Sequence, residues 1–258
     1  MTNALLKVEN LTKSYQGVKA VQGISLEVAP GELLAMIGPN GAGKSSCFNM
    51  LNGQIRPDLG RISICGRETT GLSPERISRL GVGRTFQVAE TFLSMSVREN
   101  VQLAVQCSRT GPLSLVSFFG NLRRNFATEA DDLLDLIGLK DQADRSCREL
   151  PYGDIKRLEL AIALAGDPKL LLMDEPAAGM ATKERMLLMQ LTSRIAKQRQ
   201  LAVLFTEHDM DIVFEHSDRI IVLNRGKLIA EGSPAEVRAN QDVQAVYLGS
   251  GALYKQEH

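Results

Sequence analysis

The chain has 258 residues, with 30 basic and 30 acidic side chains and 44% hydrophobic residues. That length allows one or two domains with a sizeable core. The charge balance excludes a general nucleic-acid binder, which is usually clearly basic. Cys47, Cys65, Cys107 and Cys147 are far apart and form no Cys-x-x-Cys pair. They are expected to be reduced, buried thiols of a cytosolic protein, neither a disulfide framework nor a metal site. The start Met1-Thr2-Asn3-Ala4-Leu5 lacks the basic stretch and long apolar run of a signal peptide. No apolar run reaches the roughly 18 residues of a membrane span, so any membrane role is expected to come through a partner.

In chain order, residues 5–37 read as short strands broken by Gly17, Gly23 and Pro30-Gly31. The last of them, Leu33 to Ile37, is a continuous apolar run that suits a buried strand. A glycine-rich turn follows, and a helix is expected from Ser46 to Leu51. Residues 56–60 form a turn, 61–65 a strand, 74–80 a small helix, and 81–86 a strand ending at Gln87. Helical patterning returns at 97–106 and at 126–137, where Ala130, Leu133, Leu134 and Ile137 share a face. Between them, residues 111–120 are too short to span a bilayer. They read as a loop packed on helices, with an exposed patch for a membrane-bound partner as the alternative. A helix over 153–165, with Ile155, Leu158, Ala161 and Ile162 inward, stops at Asp167-Pro168. Strand 170–173, helix 182–199, strand 201–206, helix 209–216 and strand 219–223 come next. Gly226 turns the chain into a last strand at 227–230. Ser233-Pro234-Ala235-Glu236 opens a helical tail in which Val243, Val246 and Tyr247 line one face. The alternation of strand and helix predicts an α/β fold with a mainly parallel sheet flanked by helices.

The turn after Ile37 is Gly38-Pro39-Asn40-Gly41-Ala42-Gly43-Lys44-Ser45, followed by Ser46. Two glycines with four residues between them and then Lys-Ser, between a strand and a helix, form a phosphate loop. Glycines let successive N–H groups converge on one concavity, and the helix start adds its positive dipole end. Lys44 is expected to reach the β- and γ-phosphates, and Ser45 to place its hydroxyl on Mg²⁺. Asp174 and Glu175 stand where a strand ends, the side of an open α/β sheet on which ligands bind. Asp174 is the candidate Mg²⁺ ligand because a hard cation takes carboxylate oxygen. Glu175 would orient or deprotonate the attacking water. Gln87 would coordinate Mg²⁺ or its water through its amide oxygen. His208 would hydrogen-bond the γ-phosphate or that water, although a lone His after a strand is more often structural. His216 is read as structural. Tyr15 stacks on adenine or packs on a strand edge, and its position leaves both open.

These features fall in one order: Tyr15, the phosphate loop, Gln87, Leu150-Pro151-Tyr152-Gly153-Asp154, Leu170 to Glu175, then His208. That order resembles the ATPase subunits of ATP-binding-cassette transporters over essentially the whole chain. The resemblance implies a P-loop NTPase core with an N-terminal antiparallel β subdomain and an inserted α-helical subdomain, in a single domain over 5–250. Its parts would be 5–86, about 87–165, 166–232 and a helical tail from 233 to 258. The resemblance also implies ATP and Mg²⁺ as cofactors and a head-to-tail homodimer or a heterodimer with a sister ATPase. Tyr152 and Gly153 would then meet the partner's ATP in trans. Residues 87–150 would dock on membrane permease subunits, on the inner face of the plasma membrane. Gly83-Arg84-Thr85-Phe86-Gln87, Lys156-Arg157-Leu158-Glu159, Pro176-Ala177-Ala178-Gly179-Met180 and Tyr247-Leu248-Gly249 look like the branched-chain amino acid importer subgroup. A solute-binding protein would then act indirectly. Three positions depart from the family pattern. Pro151 replaces the usual signature serine, Asp154 the usual glutamine, and Ala181 a frequent Asp. The Asp154 carboxylate would lie near a polyphosphate or bond the first N–H groups of its own helix.

Overall fold

A computed structural model describes residues 4–85, 91–110 and 126–248. Two sheets form the molecule. The first contains β1 (Leu6–Tyr15), β2 (Val18–Val28), β4 (Leu59–Ile64) and β5 (Arg67–Glu68), in the order β2-β1-β4-β5. All its pairings are antiparallel. The second contains β3 (Leu33–Ile37), β6 (Val82–Thr85), β7 (Leu170–Asp174), β8 (Ala202–Thr206), β9 (Arg219–Asn224) and β10 (Lys227–Gly232), in the order β10-β9-β3-β8-β7-β6. Its pairings are parallel except at the β10 edge. The helices are α1 (Lys44–Leu51), α2 (Pro74–Arg79), α3 (Val97–Thr110), α4 (Ala127–Leu136), α5 (Tyr152–Leu164), α6 (Thr182–Arg199), α7 (Met210–His216), α8 (Pro234–Ala239) and α9 (Gln241–Leu248).

Alternate residues of the central strands feed two cores. Ala35, Ile37, Leu171, Met173, Val203 and Phe205 face one core, which α3, α4, α5 and α6 complete. Leu34, Met36, Leu170, Leu172 and Leu204 face the other, shared with β1, β2, β4 and α1. This is why those strands read as unbroken apolar runs: a period of two is invisible when both faces are buried. Each fully buried Leu, Ile or Phe adds about 1.5–3 kcal/mol of transfer free energy. Covering both faces leaves the strand ends at the rim of the sheet, where polar residues such as Asp174 and Asn224 are partly exposed.

Several local expectations change. Gly23 does not interrupt β2 but sits inside it, at φ +71°, where the β1–β2 register shifts between the Leu11–Ile24 and Thr12–Gln22 pairs. It absorbs one extra residue as a bulge. Strand β5, absent from the sequence reading, follows β4 through Cys65-Gly66, both at positive φ. Gln16-Gly17 and Arg225-Gly226 share that backbone, the mirror-image turn that suits the twist of hairpin strands. The turn explains Cys65, which is exposed and not buried; Cys107 is half-buried, Cys47 and Cys147 are buried, and all four are free thiols. On α5, Leu158 and Ala161 are buried, while Ile155 and Ile162 are only partly covered. The run 111–120 lies outside the described residues. Among those described, no helix is long and apolar enough to cross a membrane.

Candidate functional site

Strand β3 runs between β8 and β9, so its carboxyl end emerges mid-sheet. The chain then needs a turn that no side chain can crowd. A Cβ at Gly38 would lie 2.2 Å from the Leu223 carbonyl oxygen, and one at Gly43 2.5 Å from that of Ala20. Gly41 and Gly43 also adopt φ of +79° and +105°, a region open chiefly to glycine. The Ala42 amide donates to the Pro39 carbonyl at 3.1 Å, and the Gly226 amide to the Ala42 carbonyl at 2.9 Å. Strand β2 and the β9–β10 turn therefore back the loop. Helix α1 begins at Lys44, two residues earlier than expected, with Gly43 as its N-cap and no acidic residue in its first turn. Lys44, Ser45 and Ser46 thus bring their N–H groups to the start of a helix, where an anion is favoured. Asn40 and Ser45 are exposed.

Lys44 is 8% exposed, and its Nζ donates to the carbonyls of Gly38 at 2.6 Å and Pro39 at 3.3 Å. Burial lowers its pKa, and the carboxylates of Glu175 and Asp174 partly restore it. The expected catalytic lysine and carboxylates therefore share one electrostatic neighbourhood.

The carboxylates are placed by the pairing of β7 with β8, which sets Asp174 opposite Thr206. The Thr206 hydroxyl donates to Asp174 Oδ1 at 2.7 Å, and the Glu175 amide donates to the Thr206 Oγ1 at 3.0 Å. Glu175 sits at φ +49°, a conformation that costs a non-glycine residue about 1–3 kcal/mol and clusters at functional sites. His208 Nε2 lies 2.8 Å from Glu175 Oε1. His208 and Glu175 thus form a pair, while His216 stands apart on α7, half-buried. The donor set suits Mg²⁺, which binds through one or two protein oxygens and keeps its waters. Ser45 offers an exposed hydroxyl, and Asp174 retains a second carboxylate oxygen beyond the one that Thr206 occupies. Among the described residues no cluster of three or more His, Cys, Asp or Glu forms a metal cage.

Tyr15 is 40% exposed at the β1–β2 hairpin, with Lys13 Nζ 5.7 Å from its ring centroid. Gln87 lies outside the described residues. Tyr152 opens α5, and its hydroxyl donates to the Ala178 carbonyl at 3.2 Å. Its ring lies over Gly179, so the segment Pro151–Asp154 touches the loop that follows Glu175. Gly153 is buried against the Glu184 carboxylate, 3.1–3.2 Å from where a Cβ would stand. Asp154 does not bond the N–H groups of its own helix. The α5 N-cap, Pro151, makes no side-chain bond, and the Asp154 carboxylate instead accepts from Gln142 Nε2 at 3.0 Å and pairs with Arg157 at 3.5 Å. Gln142 and Arg157 thus hold one carboxylate oxygen each.

Sequence reasoning missed Thr206 and Glu207. Their signal was the run Thr206-Glu207-His208, three polar residues that close a buried strand and follow it. It also read Tyr247 only as part of a helix face. Tyr247 is buried, which raises its phenol pKa, with the Gly38 backbone amide beside it in opposition. The C-terminal helix thus packs behind the phosphate loop.

Residues 21–178 match the ABC transporter family, and residues 227–252 match the family described as Branched-chain amino acid ATP-binding cassette transporter. The chain belongs to the ABC transporter family of ATP-binding cassettes and is an ATPase of that family. It is 40% identical over 253 residues to the High-affinity branched-chain amino acid transport ATP-binding protein LivG of Salmonella typhimurium, covering 96% of this chain and 99% of the relative. The corresponding protein BraF of Pseudomonas aeruginosa is 38% identical over the same shares. Among solved structures, the ADP conformation of MJ1267, an ATP-binding cassette of an ABC transporter, superposes with a TM-score of 0.85 at 30% identity. It covers 95% of this chain and 99% of the neighbour.

Proposed function

We propose that this chain is the ATP-hydrolysing subunit of an ABC importer, energising uptake of branched-chain amino acids or a related small polar solute through a separate permease. One observation carries the hydrolytic part. The phosphate loop with Lys44 and the Glu175–His208 pair, 2.8 Å apart, stand together at the carboxyl ends of β3, β7 and β8. The likeness to LivG and BraF and the match over 227–252 favour the solute class.

In this reading the loop amides and Lys44 hold the triphosphate, and Tyr15 stacks on the adenine. Ser45, Asp174 and Gln87 would hold Mg²⁺, which would supply positive charge to offset that of the triphosphate. Glu175 orients the attacking water in line with the γ-phosphorus and takes its proton, and His208 holds the Glu175 carboxylate in place. Two chains, or this chain and a sister ATPase, close head to tail, so that Tyr152 and Gly153 of one face the ATP of the other. Pro151 removes a hydroxyl from that contact. Asp154 adds a carboxylate there, tied back by Gln142 and Arg157. A sister subunit with the usual serine and glutamine would compensate at one of the two sites. The permease places the dimer on the inner face of the membrane, and a solute-binding protein acts through the permease.

The test is an ATPase assay of wild type and Glu175→Gln, with and without permease and a leucine-loaded binding protein. Wild-type turnover should rise with the full assembly. The variant should bind ATP, accumulate as a dimer and turn over at least about 100-fold more slowly. Full turnover in Glu175→Gln removes that residue from its role. Wild-type activity indifferent to the assembly points instead to a soluble ATP-dependent clamp.

A further inference from the structure

Glu207 is a carboxylate that the hydrolytic reading does not use. It is 5% exposed, between the end of β8 and the start of α7. Its Oε1 accepts the Ala177 backbone N–H at 3.0 Å, and its Oε2 accepts the His208 backbone N–H at 3.3 Å. These two amides belong to the two segments that carry the Glu175–His208 pair. Ala177 is two residues beyond Glu175, in the loop that leads to α6, and His208 carries the imidazole itself.

We propose that Glu207 is a positioning residue, a carboxylate bridge that fixes the loop after Glu175 to the backbone of His208 and so holds the hydrolytic pair in register. The proposal rests on the reading of Glu175 and His208 as the hydrolytic pair. Three successive residues at the end of β8 then act on one strand end. Thr206 holds Asp174 and the Glu175 amide, Glu207 holds Ala177, and His208 holds the Glu175 side chain. The same loop continues to Ala178 and Gly179, which Tyr152 covers. Glu207 therefore anchors the segment that runs from the water-orienting carboxylate to the surface meant for the second cassette.

Chemistry favours a dedicated role over an incidental one. A buried carboxylate with neutral amide partners costs stability, and its two backbone hydrogen bonds offset that cost only in part. Burial raises the Glu207 pKa, its two amide bonds oppose the rise, and the nearby Glu175 and Asp209 carboxylates add to it. A neutral hydroxyl would satisfy one of the two N–H groups but could not span both. The carboxylate does so because its two oxygens diverge.

Five proteins test the bridge: wild type, Glu207→Gln, Glu207→Asp, His208→Ala and the Glu207→Gln/His208→Ala double variant. Glutamine keeps the shape and one acceptor but turns a donor toward the other N–H. Glu207→Gln should keep ATP affinity within about twofold, yet lose about 10- to 100-fold in kcat, the scale of a misplaced catalytic group. In the His208→Ala background the same substitution should cost little more, because the pair it positions is already gone. Glu207→Asp, which keeps the charge but is shorter by one methylene, should show the same split of unchanged affinity and lowered kcat. Should His208→Ala keep wild-type turnover, the hydrolytic reading itself falls. If His208→Ala is slow but Glu207→Gln or a folded Glu207→Asp matches wild type, the bridge alone falls. Losses that multiply fully in the double variant would also overturn it.

Discussion

His216 carries a buried Nε2 at the last turn of α7, with no hydrogen-bond partner among the described residues. Burial lowers its pKa below the usual 6.5, and Glu215 offsets this only in part. As pH falls below about 6.5 the unfolded chain takes up a proton that the folded imidazole resists, so stability is lost over that window. Above it the contribution is fully present. His216→Phe should therefore flatten the urea midpoint between pH 7.5 and 5.5 relative to wild type, and parallel pH curves would contradict this assignment. At this scale the sequence was most legible where local chemistry is self-contained. Lys44, Asp174, Glu175 and His208 could be named because each follows a strand end in a fixed order. Thr206 and Glu207 could not, because their partners lie on β7 and in the loop after it, about 30 positions away, and only strand pairing brings them together. Asp154 shows the same limit: its partner Gln142 belongs to a separate helical turn.

Helix α6 starts at Thr182, and its N-cap Ala181 is extended at φ −65° and ψ 149° and makes no side-chain hydrogen bond. The contrast with α8 is direct. There Ser233 and Glu236 form a complete capping box, as the motif suggested. Ala181 is exposed, so Ala181→Asp should satisfy one free amide without crowding. It should stabilise the protein by about 1 kcal/mol, or roughly 2–4 °C in Tm for a domain of this size. An unchanged Tm would mean that the α6 start already finds another acceptor. Among whole elements, the helices with a clear apolar face were found from periodicity, and the buried strands from unbroken apolar runs. The two-residue β5 was missed because it is too short to show a pattern. The long β2 was cut at Gly23 because a bulge glycine and a turn glycine look alike before the partner strand is known.

The molecule as a whole is organised by burial of both faces of one parallel sheet. Helices cover one face, and the antiparallel sheet with α1 covers the other. At the carboxyl end of the central strand β3 the phosphate loop converges with the ends of β7 and β8. Tyr247 on the C-terminal helix supports the loop from behind, so the tail belongs to the same unit as the site. All else in the account depends on a triphosphate gripped by Lys44 at that convergence. Calorimetric titration of the purified protein with ATP and magnesium, beside Lys44→Ala, measures this directly. The account predicts saturable binding to wild type and an affinity about 10- to 100-fold weaker in the variant, the worth of a lost charged hydrogen bond. Equal affinity in the two proteins, or no heat of binding in either, would contradict it.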